Sequence, residues 1–158
     1  MRSDRTHIGK WLNDGLLVNC FATVTFKQCK HHDGGVREWI NREIAANACD
    51  ELMQRCVKRA KRASPENVHH QILWATFIED GFATKRVHAH IAINIPNHIS
   101  FDLFCDTFKT LCARFDWIHE RVDVQEITTT EDRRGVISYC LKEGTDAFEP
   151  TASRLVPN

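Results

Sequence analysis

The chain has 158 residues with 21 basic and 21 acidic side chains, so a uniformly basic coat for nucleic acid is excluded while a local patch is not. Hydrophobic residues make up 42% and charged residues 27%, the balance of a soluble globular domain, and the length supports one core. No apolar run approaches the roughly 20 residues of a membrane span. No apolar stretch follows Met1-Arg2-Ser3-Asp4-Arg5 as in a signal peptide, so an intracellular protein is expected.

Residues 1–15 are polar, with Trp11 and Leu12 as anchors for a short helix or an ordered arm. Residues 16–27 read as a first strand, with Phe21, Thr23 and Thr25 on one face and Ala22, Val24 and Phe26 on the other. Residues 30–35 form a turn. A helix is predicted from Val36 or Arg37 to Arg62, on the stripe Trp39, Ile40, Ile44, Ala48, Leu52, Cys56 and Ala60. Ser64-Pro65-Glu66-Asn67 breaks it. Its end carries Arg55, Lys58, Arg59, Lys61 and Arg62 with no acid among them, which suits either the helix dipole or a phosphate-contacting surface.

Residues 70–79 read as a second strand and residues 85–95 as a third, joined through the Asp80-Gly81 turn into an antiparallel hairpin. Ser100 caps a helix over residues 101–115, and a strand follows within 117–127. A last helix starts after Thr128-Thr129-Thr130 and reaches Lys142, with Gly144 ending it. Residues 1–148 are expected to form the domain, and residues 149–158 a flexible tail. The order β-α-β-β-α-β-α predicts an α+β fold, an antiparallel sheet with helices packed mainly on one face, in a ferredoxin-like or RRM-like outline.

The third strand holds the most informative pattern. Val87, Ala89, Ile91 and Ile93 alternate with His88, His90, Ala92 and Asn94. Residues two apart share a face of a strand, so His88 and His90 point together, away from the apolar set. Two imidazoles can hold one metal ion if a third ligand arrives, although a half-exposed strand can carry two histidines with no ligand at all. The preceding strand ends in Glu79-Asp80, and a hairpin returns those acids to the neighbourhood of the His pair. Tyr139, the sole tyrosine, lies three residues before Lys142 on the last helix, so both can project to one side. Seven cysteines, at 20, 29, 49, 56, 105, 112 and 140, are odd in number and form no C-x-x-C. A disulfide framework or a zinc ribbon is therefore not indicated.

Taken together, Thr23-Val24-Thr25, His88-Ala89-His90 and Tyr139-Cys140-Leu141-Lys142 resemble, in that order, three motifs of the HUH superfamily of single-strand DNA endonucleases. That superfamily comprises rolling-circle replication initiators, relaxases and related transposases. The resemblance runs from about residue 16 to 143 and looks closest to single-tyrosine replication initiators. It implies a four- or five-stranded sheet with the H-x-H strand central. It implies a divalent ion, Mg²⁺ or Mn²⁺, held by His88, His90 and an acidic third ligand, Glu79 by register with Asp80 as the alternative. It implies Tyr139 as nucleophile, assisted by Lys142, and a 5′-phosphotyrosine intermediate. Thr23, Thr25, Arg86, Lys58 and Arg62 are the expected DNA contacts. The partner is single-stranded DNA or a DNA hairpin, with no membrane. No G-x-x-x-x-G-K-[ST] occurs in these residues, so any ATP-driven unwinding must come from elsewhere, such as a separate helicase. The competing expectation is a single-stranded nucleic-acid-binding module without chemistry.

Overall fold

A computed structural model describes residues 2–63, 71–81, 85–142 and 144–156. The elements are α1 (Arg2–Gly15), β1 (Cys20–Phe26), β2 (Cys29–His31), β3 (Arg37–Trp39), α2 (Arg42–Ala63), β4 (Leu73–Glu79), β5 (His88–Asn94), α3 (Phe101–Cys112), β6 (Ile118–Glu126) and α4 (Thr130–Cys140). The main sheet is antiparallel throughout, in the order β4-β5-β1-β6. This is the expected α+β architecture, and β5, the H-x-H strand, lies in its interior.

Alternation along the strands gives the sheet two different faces. Ala22, Val24, Phe26, Trp74, Ile78, Ala89, Ile91 and Ile93 pack beneath α2 and α3, against Leu52, Met53, Phe104 and Phe108. On the other face Phe21, Ala75, Phe77 and Ala92 form a smaller apolar layer with Leu12 and Leu16 of α1 and Val136 and Ile137 of α4. These two helices cover only part of that face. Thr23, Thr25 and His88 stay half-buried there, in the uncovered part.

Two expectations are corrected. The second helix begins at Arg42, because Arg37–Trp39 pair with Cys29–His31 as a small hairpin. Gly34 and Gly35, at φ 81° and 79°, take the left-handed conformation that lets the chain turn back. Asn41 starts the helix, its Oδ1 accepting from the Ile44 N–H at 2.9 Å. Trp39 therefore faces solvent, 61% exposed, and has no place in the helical stripe. The expected break at Ser64-Pro65-Glu66-Asn67 lies outside the described residues.

Residues 149–156 are not a loose tail. They run along β4, which would otherwise be a bare sheet edge with unpaired backbone groups. Trp74 and Arg154 exchange backbone hydrogen bonds of 2.8 and 2.9 Å, and the Glu149 N–H donates to the Thr76 carbonyl at 2.8 Å. The Trp74 indole N–H and the Thr76 hydroxyl both donate to the Ala152 carbonyl, at 2.7 and 2.6 Å. Arg42 fastens the same segment. Its guanidinium donates to Glu149 Oε2 at 2.9 Å and to the carbonyls of Asp146, Ala147 and Ile78 at 2.6, 3.2 and 3.3 Å. Pro157 and Asn158 lie outside the described residues.

All seven cysteines are free thiols. Burial raises the pKa of Cys20, Cys49, Cys56, Cys112 and Cys140, so these are packing groups rather than nucleophiles. Among the described residues, no helix is long and apolar enough to cross a membrane.

Arg42→Ala removes all three donor nitrogens of the guanidinium at once. It should lower the unfolding free energy by about 2–3 kcal/mol, the scale for a charged donor whose acceptors are left unpaired, as measured by urea unfolding. Burial raises the Glu149 carboxyl pKa, but hydrogen bonds from Thr151 and Arg42 outweigh it and bring it below the ordinary 4.5. That stabilisation is complete above pH 4.5 and is lost as pH falls through the lower folded value. The gap between parent and variant should therefore narrow on acidification. A gap that stays constant into the acid limb would remove Glu149 from this account.

Candidate metal centre

The β4–β5 ladder sets Glu79 opposite His88 and Phe77 opposite His90, and the β1–β5 ladder sets Thr23 opposite His90 and Thr25 opposite His88. Glu79, His88, His90, Thr23 and Thr25 therefore share one face across three adjacent strands. Gly81 permits the hairpin to close. A Cβ there would collide with the Lys85 carbonyl oxygen and come within 2.9 Å of the Val87 nitrogen.

Glu79 and His90 are buried, 8% and 3% exposed. His88 Nε2 lies 3.1 Å from Glu79 Oε2, and His90 Nε2 lies 3.3 Å from Glu79 Oε1. One ligating atom from each of the three residues falls within 4.8 Å of the others, a group that could hold a metal ion. Asp80 is exposed and lies outside it, as do His7 and His98.

The hydrogen bonds around the rings decide which nitrogens are available. His88 Nδ1 stands 3.0 Å from the Arg86 carbonyl, which can only accept, so Nδ1 carries the proton and Nε2 keeps its lone pair. His90 Nδ1 stands 3.0 Å from the Thr23 hydroxyl oxygen, a contact that orients the ring with Nε2 toward Glu79. Burial, and then the neighbouring His88, lower the His90 pKa from 6.5 to about 4, so this ring is neutral at ordinary pH. Glu79 Oε1 and His90 Nε2 are both buried without a hydrogen-bond partner. A cation lying among them would satisfy both atoms at once. The residues therefore fit a divalent ion, and a His₂-carboxylate set leaves coordination positions for water or a substrate oxygen.

α4 crosses the same face and brings Tyr139 to the opening. Its ring is edge-on to His90, centroids 5.2 Å apart, and 47% of the residue is exposed. Lys142 lies just past the helix end, its Nζ 4.0 Å from the Tyr139 ring centroid and 3.6 Å from Glu79 Oε1. Partial desolvation lowers the Lys142 pKa, but hydrogen bonding to Tyr139 and the charge of Glu79 outweigh it. The net shift is upward, and Lys142 stays cationic. A cavity of about 920 Å³ opens here, lined by Phe21, Thr23, His88, His90 and Tyr139 and flanked by acidic side chains that include Asp123.

The expected DNA contacts divide. Thr23 hydrogen-bonds His90 and so belongs to the support of the candidate ligands. Thr25 and Arg86 lie beside His88. Lys58 and Arg62 are exposed on the last turns of α2, which covers the opposite face of the sheet, so they do not join this site. Phe21 went unnoticed in the sequence. It stacks on His90 with centroids 5.5 Å apart and planes 17° apart. Its position on the Thr23 face was visible, but its cross-strand neighbour was not. Comparison with family models, with curated proteins and with solved structures finds no match.

Calorimetric titration with Mn²⁺ tests the centre. Glu79→Gln and His90→Ala should each weaken binding by more than about tenfold, and Thr23→Val by about tenfold through the lost ring support. Asp80→Asn should change little. If Asp80→Asn abolishes binding while Glu79→Gln binds normally, the β4–β5 register described here is wrong.

Proposed function

We propose that this protein nicks and rejoins single-stranded DNA through a 5′-phosphotyrosine intermediate, in the service of rolling-circle replication or transposition. The observation that carries the reading is the position of Tyr139. The only phenol in the chain is half-exposed at the mouth of the Glu79/His88/His90 cluster, with an ammonium group over its ring. A binding module needs aromatic rings and cations, but it does not need a buried carboxylate between two imidazoles.

Glu79, His88 and His90 would hold the ion, Mg²⁺ or Mn²⁺, which when bound supplies Lewis acidity toward a phosphate oxygen. Phosphate and carboxylate oxygens favour these hard cations. A phenol of pKa near ~10 is a weak nucleophile at neutral pH unless its anion is stabilised. Lys142, with its Nζ 4.0 Å from the Tyr139 ring centroid, is the cation placed to meet charge that develops as the phenol attacks. The Tyr139 oxygen attacks phosphorus, a Tyr–O–P bond forms, and the P–O3′ bond breaks. The phenolic proton ends on the released 3′-hydroxyl. One phosphate ester replaces another, so the step runs in reverse when that hydroxyl returns, which suits nicking followed by joining.

The test is incubation with varied single-stranded oligonucleotides and Mn²⁺, followed by a denaturing gel. The parent should give a shifted band that survives denaturation. Tyr139→Phe should give none while keeping the parent's melting temperature and DNA affinity. Lys142→Ala should slow adduct formation by about 10²-fold, the scale for losing one preorganised electrostatic donor. An adduct formed by Tyr139→Phe, or by the parent in excess chelator, would sink this mechanism. DNA binding without any adduct returns the protein to the binding-module reading.

A further inference from the structure

We propose that a cationic groove beside the metal centre binds the phosphates of the DNA strand whose 3′-hydroxyl is released, an inference that rests on the endonuclease reading above. The groove, about 370 Å³, is lined by Thr25, Lys85, Arg86, His88, His119 and Arg121. None of these six side chains is acidic, and five carry a cationic or imidazole group. Such a concavity attracts a phosphodiester chain.

No run of sequence contains this groove. Lys85 and Arg86 lead into β5, while His119 and Arg121 come from β6, two strands away. β6 reaches the site through an irregularity in its pairing with β1. Val24 pairs with Val122 and Phe26 with Ile118, so the single Thr25 stands opposite three residues, His119 to Arg121. Alternation turns His119 and Arg121 toward the face of Thr25 and His88, and the bulge gathers both beside one threonine. His119 Nδ1 accepts from the Arg121 N–H at 3.2 Å, which leaves Nε2 as the proton-bearing donor.

Two openings meet at His88. The larger, on the Tyr139 side, is lined by Asp123, Glu126, Glu131 and Asp132, which repel phosphates. The smaller is the cationic groove, which includes neither His90 nor Tyr139. In an in-line displacement the leaving oxygen lies opposite the attacking one. Tyr139 stands beside His90. With phosphorus at the metal centre, O3′ and the strand behind it point past His88 into the groove. As the P–O3′ bond breaks and the Tyr–O–P bond forms, the departing strand takes the proton on its 3′-oxygen. Held by its phosphates, it stays placed for the reverse attack.

The experiment measures the salt dependence of binding, by anisotropy of labelled single-stranded oligonucleotides with Mn²⁺, in a Tyr139→Phe background that cannot cleave. Arg86 and Arg121 are exposed, so Arg86→Gln/Arg121→Gln should fold normally, and its melting temperature checks this. The slope of log affinity against log salt should fall in magnitude by about 1.4, roughly 0.7 per charge on a single strand. Lys58→Gln/Arg62→Gln removes the same charge from the opposite face and should leave the slope unchanged. Equal slopes in the two double variants overturn the groove. With the parent and a cleavable oligonucleotide, a neutral methylphosphonate immediately 5′ of the scissile phosphate should weaken binding as the groove variant does. A loss confined to the 3′ side overturns the strand polarity. A parent that binds through the groove yet never forms an adduct overturns the endonuclease reading, and with it the polarity, while the groove stands as a binding surface.

Discussion

One carboxylate buried against two imidazoles is the constraint that the rest of the site obeys. Burying Glu79 without partners would cost several kcal/mol, so everything near it is arranged to keep its charge matched. The ladder sets it directly opposite His88. The Arg86 carbonyl accepts from His88 Nδ1 and the Thr23 hydroxyl contacts His90 Nδ1, which turns both Nε2 atoms to the carboxylate. Lys142 supplies a cation nearby but stays 3.6 Å from Glu79 Oε1, beyond hydrogen-bond contact. The cluster is thus arranged so that it could hold a positive ion. A slip of one residue in the β4–β5 register would send Glu79 to the wrong face and Asp80 to the right one.

The fold supplies rigidity where this cluster needs it. β5 is an interior strand, held by β4 on one side and β1 on the other, so both histidines sit on the least deformable part of the sheet. α2 and α3 seal the face behind it with the larger core. The 149–156 segment closes the edge of β4, and Arg42 ties that segment to α2 near the strand end that carries Glu79. α1 and α4 cover part of the front face and stop short of His88. That partial cover lets one helix bring Tyr139 to the rim of an open cavity.

Charge is distributed unevenly around this opening although the net charge is zero. Acids line the wall beside Tyr139, and bases line the groove beyond His88. A substrate with a regular row of phosphates would meet a gradient rather than a uniform coat. In the proposed reading, that gradient gives the bound strand a direction, with the nucleophile at one end and the leaving oxygen at the other.

The ladder register settled the choice of Glu79 over Asp80. The sequence by itself determined the α+β class, the shared face of His88 and His90 on one strand, the cap at Ser100, and the return of Glu79 and Asp80 to the neighbourhood of that pair. Each of these follows from short-range rules: period-2 alternation, a turn at Asp80-Gly81 and adjacency within a hairpin. It misjudged Trp39 and Ile40, whose spacing fits a helix although Asn41 and two left-handed glycines favour a hairpin there. It also misjudged residues 149–156, because composition does not reveal that the β4 edge needs a partner. Tertiary structure alone decided that Thr23 supports His90, that Phe21 stacks on it, and that Lys58 and Arg62 face away. It alone brought His119 and Arg121 beside Arg86. These relations depend on strand order, ladder register and which helix covers which face, and such long-range pairings are fixed by how the whole chain buries its two apolar layers, not by spacing along it.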